Sequence, residues 1–154
     1  MTTPILDFRY VEASKTLTTQ NNVKIEIRRE HTWKTEHKKE EESKLVVLVE
    51  GELKDKDKIY DEQWSFDWPK GDWNTINESL RLLLNDIEQR QSTSAFELET
   101  SVHVYEWLKV GFIQNDGGRV FYIEFTKAGQ KITATLKDIA GLQEFRTLLY
   151  SFFN

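Results

Sequence analysis

Cysteine is absent from this sequence, which removes disulfide bonds, thiolate metal sites and a thiol nucleophile together. The fold has to be held by core packing alone. Long apolar runs are missing too, since no stretch approaches the roughly 18 residues that a membrane-crossing helix needs. Met1 to Tyr10 show no basic segment followed by an apolar one, and a cytoplasmic location with no membrane contact is expected. Positive charge is the minority: 21 Lys and Arg against 26 Asp and Glu leave a net charge of -5. That balance weighs against affinity driven by phosphate attraction alone. Histidine is sparse: His37 lies in a charged loop, and His31 and His103 fall in expected strands with no carboxylate at a motif spacing. No convergent nucleophile, base and orienting group is visible, so an enzyme, a catalytic residue, a metal site and a cofactor are not expected. The three histidines read as ordinary surface or satisfied side chains.

What is present is hydrophobic periodicity in 154 residues, a length that suits one domain, 1–154. Val23, Ile25 and Ile27 alternate with Lys24, Glu26 and Arg28, the period of a half-buried strand, and a short strand at Ile5 to Tyr10 is expected before it. Thr35 to Ser43 is almost wholly charged. Leu45 to Val49 is apolar on both faces and is expected at the centre of a sheet. Across the turn Lys54 to Asp57, Tyr60, Trp64, Phe66 and Trp68 share one parity and therefore one face. Pro69 and Gly71 break that strand. Thr75 and Glu78 have the spacing of a capping box, and Ile76, Leu80, Leu83 and Ile87 repeat at helical spacing up to about Gln89.

The same order then returns. Phe96 to Val104 alternates, Trp107 to Gln114 and Arg119 to Thr126 flank the glycines of Asn115 to Gly118, and Ala128-Gly129 leads into Lys131 to Leu136. Asp138 can cap a last helix whose apolar stripe is Leu142, Phe145, Leu149 and Phe152. The pattern predicts an α+β fold of two ββββα units, 1–91 and 92–154, with antiparallel sheets and both helices packed on one face. A shift of 69 residues superposes the two helical stripes, whereas the strands show no convincing residue identity.

The run Gly118-Arg119-Val120-Phe121-Tyr122-Ile123, then Lys131-Ile132, Leu136 and Gly141-Leu142-Gln143-Glu144-Phe145-Arg146, resembles a PUR repeat. PUR, Whirly and positive-cofactor coactivator proteins share a ββββα unit, and the resemblance implies a sheet platform for single-stranded DNA or RNA. It covers about the last forty residues. The sequence departs from that pattern in lacking a proline before the last helix, in having Thr126 to Gly129 where an Asn-Arg turn is expected, and in having no Gly-Arg-Phe strand in its first half.

Bases stack on aromatic faces for about 1–3 kcal/mol each, so aromatic residues on polar parity matter most. Tyr105, Trp107 and Tyr122 are the expected exposed stacking row, while Trp33, Trp64, Trp68 and Trp73 are assigned to the core. Lys24, Arg28, Lys34, Lys109, Arg119 and Lys131 are the cations that could meet phosphate, or equally form cross-strand ion pairs, since Glu26 and Glu30 alternate with the first three. The nucleic-acid reading implies a homodimer without cofactor. Its main rival is an acidic protein-interaction module, an adaptor, inhibitor or immunity-type protein with a protein partner. A third reading drops the duplication and makes the last helix the lid of a pleckstrin-like barrel.

Overall fold

The computed structural model describes residues 7–17, 19–34, 40–55, 57–91, 98–115 and 118–152. Strands β1 (Asp7–Leu17), β2 (Lys24–Lys34), β3 (Glu40–Asp55) and β4 (Lys58–Pro69) are followed by a short 3-10 turn, Lys70–Asp72, and helix α1 (Trp73–Gln91). Strands β5 (Leu98–Tyr105), β6 (Leu108–Asn115), β7 (Gly118–Lys127) and β8 (Gln130–Leu136) are followed by helix α2 (Ile139–Phe152). Each group of four is an antiparallel meander in chain order. The ββββα order therefore repeats, and the chain forms two open sheets, not a single barrel.

Alternation decides the inner faces. In the first sheet Ile25, Ile27, Leu45, Val47, Val49, Trp64, Phe66 and Trp68 point inward, and β3 lies between β2 and β4 as its apolar run requires. In the second, Leu108, Val110, Phe112, Phe121, Ile123, Phe125, Ile132 and Ala134 do the same. Both inner faces and both helices contribute to one continuous hydrophobic cluster. The α2 stripe Leu142, Phe145, Leu149 and Phe152 is fully inside it.

Each helix is bound to the other half of the chain. Helix α1 runs against β5, and α2 touches β1 and β2 as well as β7 and β8. At the C-terminal end of α2 the Arg29 guanidinium of β2 donates to the Phe152 carbonyl at 3.1 Å, and Lys15 of β1 donates to Ser151 Oγ at 2.9 Å. Two cations from the first sheet thus meet the negative end of a helix dipole belonging to the second. The β1–β2 turn does the same for an edge. Asn21 donates to the Thr133 carbonyl and accepts from the Thr135 N–H, and the Gln20 N–H donates to the Thr135 carbonyl, so this turn pairs with the outer side of β8.

Local signals hold unevenly. Asn115 pairs with Gly118 at the end of the antiparallel β6–β7 pair, and Lys127 with Gln130 across Ala128 and Gly129, whose φ values of 51° and 79° are both positive, as a type I′ turn requires. The Asp138 carboxylate accepts from the Gly141 N–H and caps α2. Other boundaries move. The expected capping box fails: the 3-10 turn carries the chain into α1 at Trp73, so Thr75 is already inside the helix and Glu78 pairs with Arg81 instead. Strand β1 runs to Leu17, and β3 begins at Glu40 within the charged run. The expected residues Ile5 and Phe96 lie outside the described residues, as does the loop holding His37.

Candidate functional site

Strand register sorts the nine candidate residues onto different surfaces. On the outer face of the second sheet, cross-strand neighbours form rows: Ser101, Gly111, Tyr122 and Thr135 in one, and His103, Lys109, Glu124 and Thr133 in the next. Lys131, opposite Thr126, continues this surface. Arg119 does not. It pairs with Gln114 on the parity of Phe112 and Phe121, the helix side of the sheet, where its Nε donates to Gln114 Oε1 at 3.1 Å. Lys24 and Arg28 share the outer face of the first sheet, and Lys34 lies six residues further along the same strand, described by its backbone register alone.

Tyr122 is not a free ring. It lies on outward parity, yet only 5% of it is exposed. The cause is its cross-strand neighbour Gly111, which has no side chain and lets the tyrosine lie flat over it: a Cβ built there would stand 2.6 Å from Tyr122 Oη and 2.7 Å from Ser101 Cβ. The phenol donates to Glu99 Oε1 at 3.3 Å. Burial is the largest influence on its pKa and pushes it up, against a smaller opposing effect of Ser101.

The other two members of the expected row are also used inside. Trp107 sits in the two-residue β5–β6 turn and stacks on Phe66 at 4.3 Å and on Trp68 at 4.6 Å, filling the junction of the two sheets. Tyr105 packs edge-on to Trp68, and its hydroxyl donates to Asp72 Oδ2 at 2.6 Å. That bond to a carboxylate, with some desolvation, raises the Tyr105 pKa to about 12. Of the row expected from parity, Tyr122 is buried, while Tyr105 and Trp107 are half-buried and packed against the core on one side. Parity reports which way a side chain leaves its strand, and here another element is waiting on that side. Trp64, Trp68 and Trp73 are buried as expected, and of Trp33 only the backbone is described.

Among the cations, Arg28 is held at 2.8 Å by Glu26, and Lys131 stands 3.5 Å from Glu124. Arg28, followed by Ser14, holds the Glu26 carboxyl below its ordinary value. Lys109 borders a shallow polar groove of about 480 Å³ with Asp86, Glu99, Thr100 and Ser101. The outer face of the second sheet thus sets Lys109 and Lys131 against Glu99 and Glu124, with the exposed His103 beside Lys109. Its lysines and glutamates balance on a chain of net charge -5. His103 was passed over as a site residue because it lacks a motif partner in sequence, although its parity with Lys109 was the available signal. No group of three potential metal ligands occurs among the described residues. Scans against protein-family models, curated proteins and solved structures return no match.

Proposed function

We propose that the chain binds single-stranded nucleic acid on the outer face of its second sheet, through Lys109, Lys131 and His103 set among the hydroxyls of Ser101, Thr133 and Thr135. The single observation behind this reading is architectural. The ββββα order of the PUR-like last forty residues is repeated in the first half, where no Gly-Arg-Phe strand marks it, and both helices lie on one side so that the outer sheet faces stay uncovered. This is likeness of fold, which sets an expectation that the site's own chemistry has to meet. With the three rings buried or bonded, contact is led by phosphate and hydroxyl groups, and base stacking is limited to the His103 imidazole.

The test is a fluorescence-anisotropy titration of labelled mixed-sequence DNA and RNA single strands at about 50 and about 200 mM salt. Binding is expected in the micromolar range at low salt, with a slope equivalent to about 2–3 neutralised phosphates. Lys109→Glu combined with Lys131→Glu should weaken it at least about tenfold, more than a tenfold rise in salt weakens a one-phosphate contact. An unchanged anisotropy with every strand at low salt sinks the proposal. The acidic protein-interaction reading then takes its place. It is favoured by Ile59 and Tyr60, 60% and 43% exposed on the β3–β4 hairpin, with Glu52, Asp57 and Asp61 around them.

A further inference from the structure

We infer that the free edge of β4 accepts a basic, extended polypeptide segment as an added strand of the first sheet. This surface is separate from the one assigned above to nucleic acid. The other three sheet edges each have company: β8 is paired with the β1–β2 turn, β5 runs beside α1, and β1 touches α2. Strand β4 ends the order of the first sheet, and among the described residues no strand pairs with its outer side over twelve residues.

The register of β3 and β4 shows which amides face outward. Asp55 and Lys58 are cross-strand partners only three positions apart, which can only be a hydrogen-bonded pair, so the N–H and C=O of Lys58 face β3. In an antiparallel strand both polar groups of a residue point to the same side, and the sides alternate. The register from Lys44–Pro69 to Asp55–Lys58 has no shift. Tyr60, Glu62, Trp64 and Phe66 are therefore bonded to β3, and Ile59, Asp61, Gln63, Ser65 and Asp67 present N–H and C=O outward. Pro69, next in that row, has no N–H and ends it nearest the helix, and no described strand pairs with the rest.

Charge selects the occupant. Residues 50–62 hold six carboxylates and three lysines, a net -3 within a chain of net -5. A second copy pairing here brings two acidic edges together, which cross-strand repulsion opposes. A segment bearing Lys or Arg at alternate positions answers the charge and the extended geometry at once. Ile59 and Tyr60, on opposite faces of the hairpin, offer one apolar contact each.

The experiment uses the full chain and a fluorescein-labelled peptide of alternating Lys and Val, with two controls: the same peptide N-methylated at alternate residues, and an alternating Glu and Val peptide. Binding of the Lys peptide should be at least about tenfold tighter than of either control, since one loses the amide donors and the other the charge match. Hydrogen exchange followed by NMR should show the Asp61, Gln63 and Ser65 amides fast in the free protein, slow with the peptide, and Tyr60, Glu62 and Trp64 slow in both. Gln63→Pro removes one outward N–H and should abolish binding while leaving the far-UV spectrum and melting point intact. Asp61→Lys with Glu62→Lys keeps the amides and should reverse the preference between the two charged peptides. The inference is overturned if the Lys peptide does not bind, if methylation leaves its affinity unchanged, or if those amides are already protected in the free protein. Sedimentation showing that a second copy provides that protection overturns it as well.

Discussion

In the first sheet β3 runs for sixteen residues and carries its hairpin with β4 beyond the core, whereas the longest strand of the second sheet has ten. The second sheet turns through two residues at 106–107 and at 128–129, and it uses its own outward surface to bury Tyr122 over Gly111. Its last edge is closed by a turn from the other half, while β4 of the first sheet keeps an edge without a strand partner among the described residues. The same element order thus ends in a compact sheet that buries one tyrosine on its outer face and a long sheet whose edge no described strand pairs. What separates them is strand length relative to the core and the placement of one glycine, more than any difference in topology.

If the halves share one core, a cavity made in either should unfold both. Phe145→Ala in α2 and Trp107→Ala at the sheet junction should each cost about 3–5 kcal/mol in denaturant unfolding, because both rings are packed on residues from across the molecule. A cost below about 1 kcal/mol for Trp107→Ala would return that ring to the surface and reopen the stacking platform. Tryptophan fluorescence and far-UV signals should also lose structure in one shared transition.

A finer distinction between the sheets rests on Gly111. Gly111→Ala should destabilise by about 1–3 kcal/mol, the cost of overpacking, because its new methyl collides with the Tyr122 ring. Gly71→Ala, with open space around it, should change stability little, and equal effects at the two sites would remove the reason given for the burial of Tyr122. The same burial revises what Tyr122→Ala reports, since it empties a covered site and cannot be used as a silent binding variant.

The smallest effect concerns the junction. Tyr105 has its pKa raised to about 12 by the bond to Asp72, against about 10 in an unfolded chain. The folded state therefore holds this proton more tightly, so its contribution to stability is complete below about pH 10 and is lost as pH rises toward 12. Absorbance titration of wild type against Tyr105→Phe should show one tyrosine missing from the uppermost step. A difference centred near pH 10 would mean that the Asp72 bond is not made in solution.

Much of this architecture was legible from residue order. Val23 to Ile27, Tyr60 to Trp68 and the 121–125 run alternate because one side of each strand meets a core, and Ala128-Gly129 sits where both φ values are positive. The α2 stripe follows from helical spacing and packs as expected. Legibility was poorer at α1, where the 3-10 turn displaced the capping box, and at the candidate site, where Tyr105, Trp107 and Tyr122 were expected together in solvent.

The sequence by itself determined strand count, the repeated ββββα order and the inward face of each strand, because periodicity records a side chain's direction relative to its own backbone. The tertiary structure alone decided which outward directions stay open. Trp107 meets Phe66 and Trp68 from a distant strand, Arg119 parts from Lys109 by falling on the opposite parity near a turn, and Asn21 covers the edge of β8. Each of those outcomes depends on what the other half of the chain brings alongside, and no local spacing carries that information.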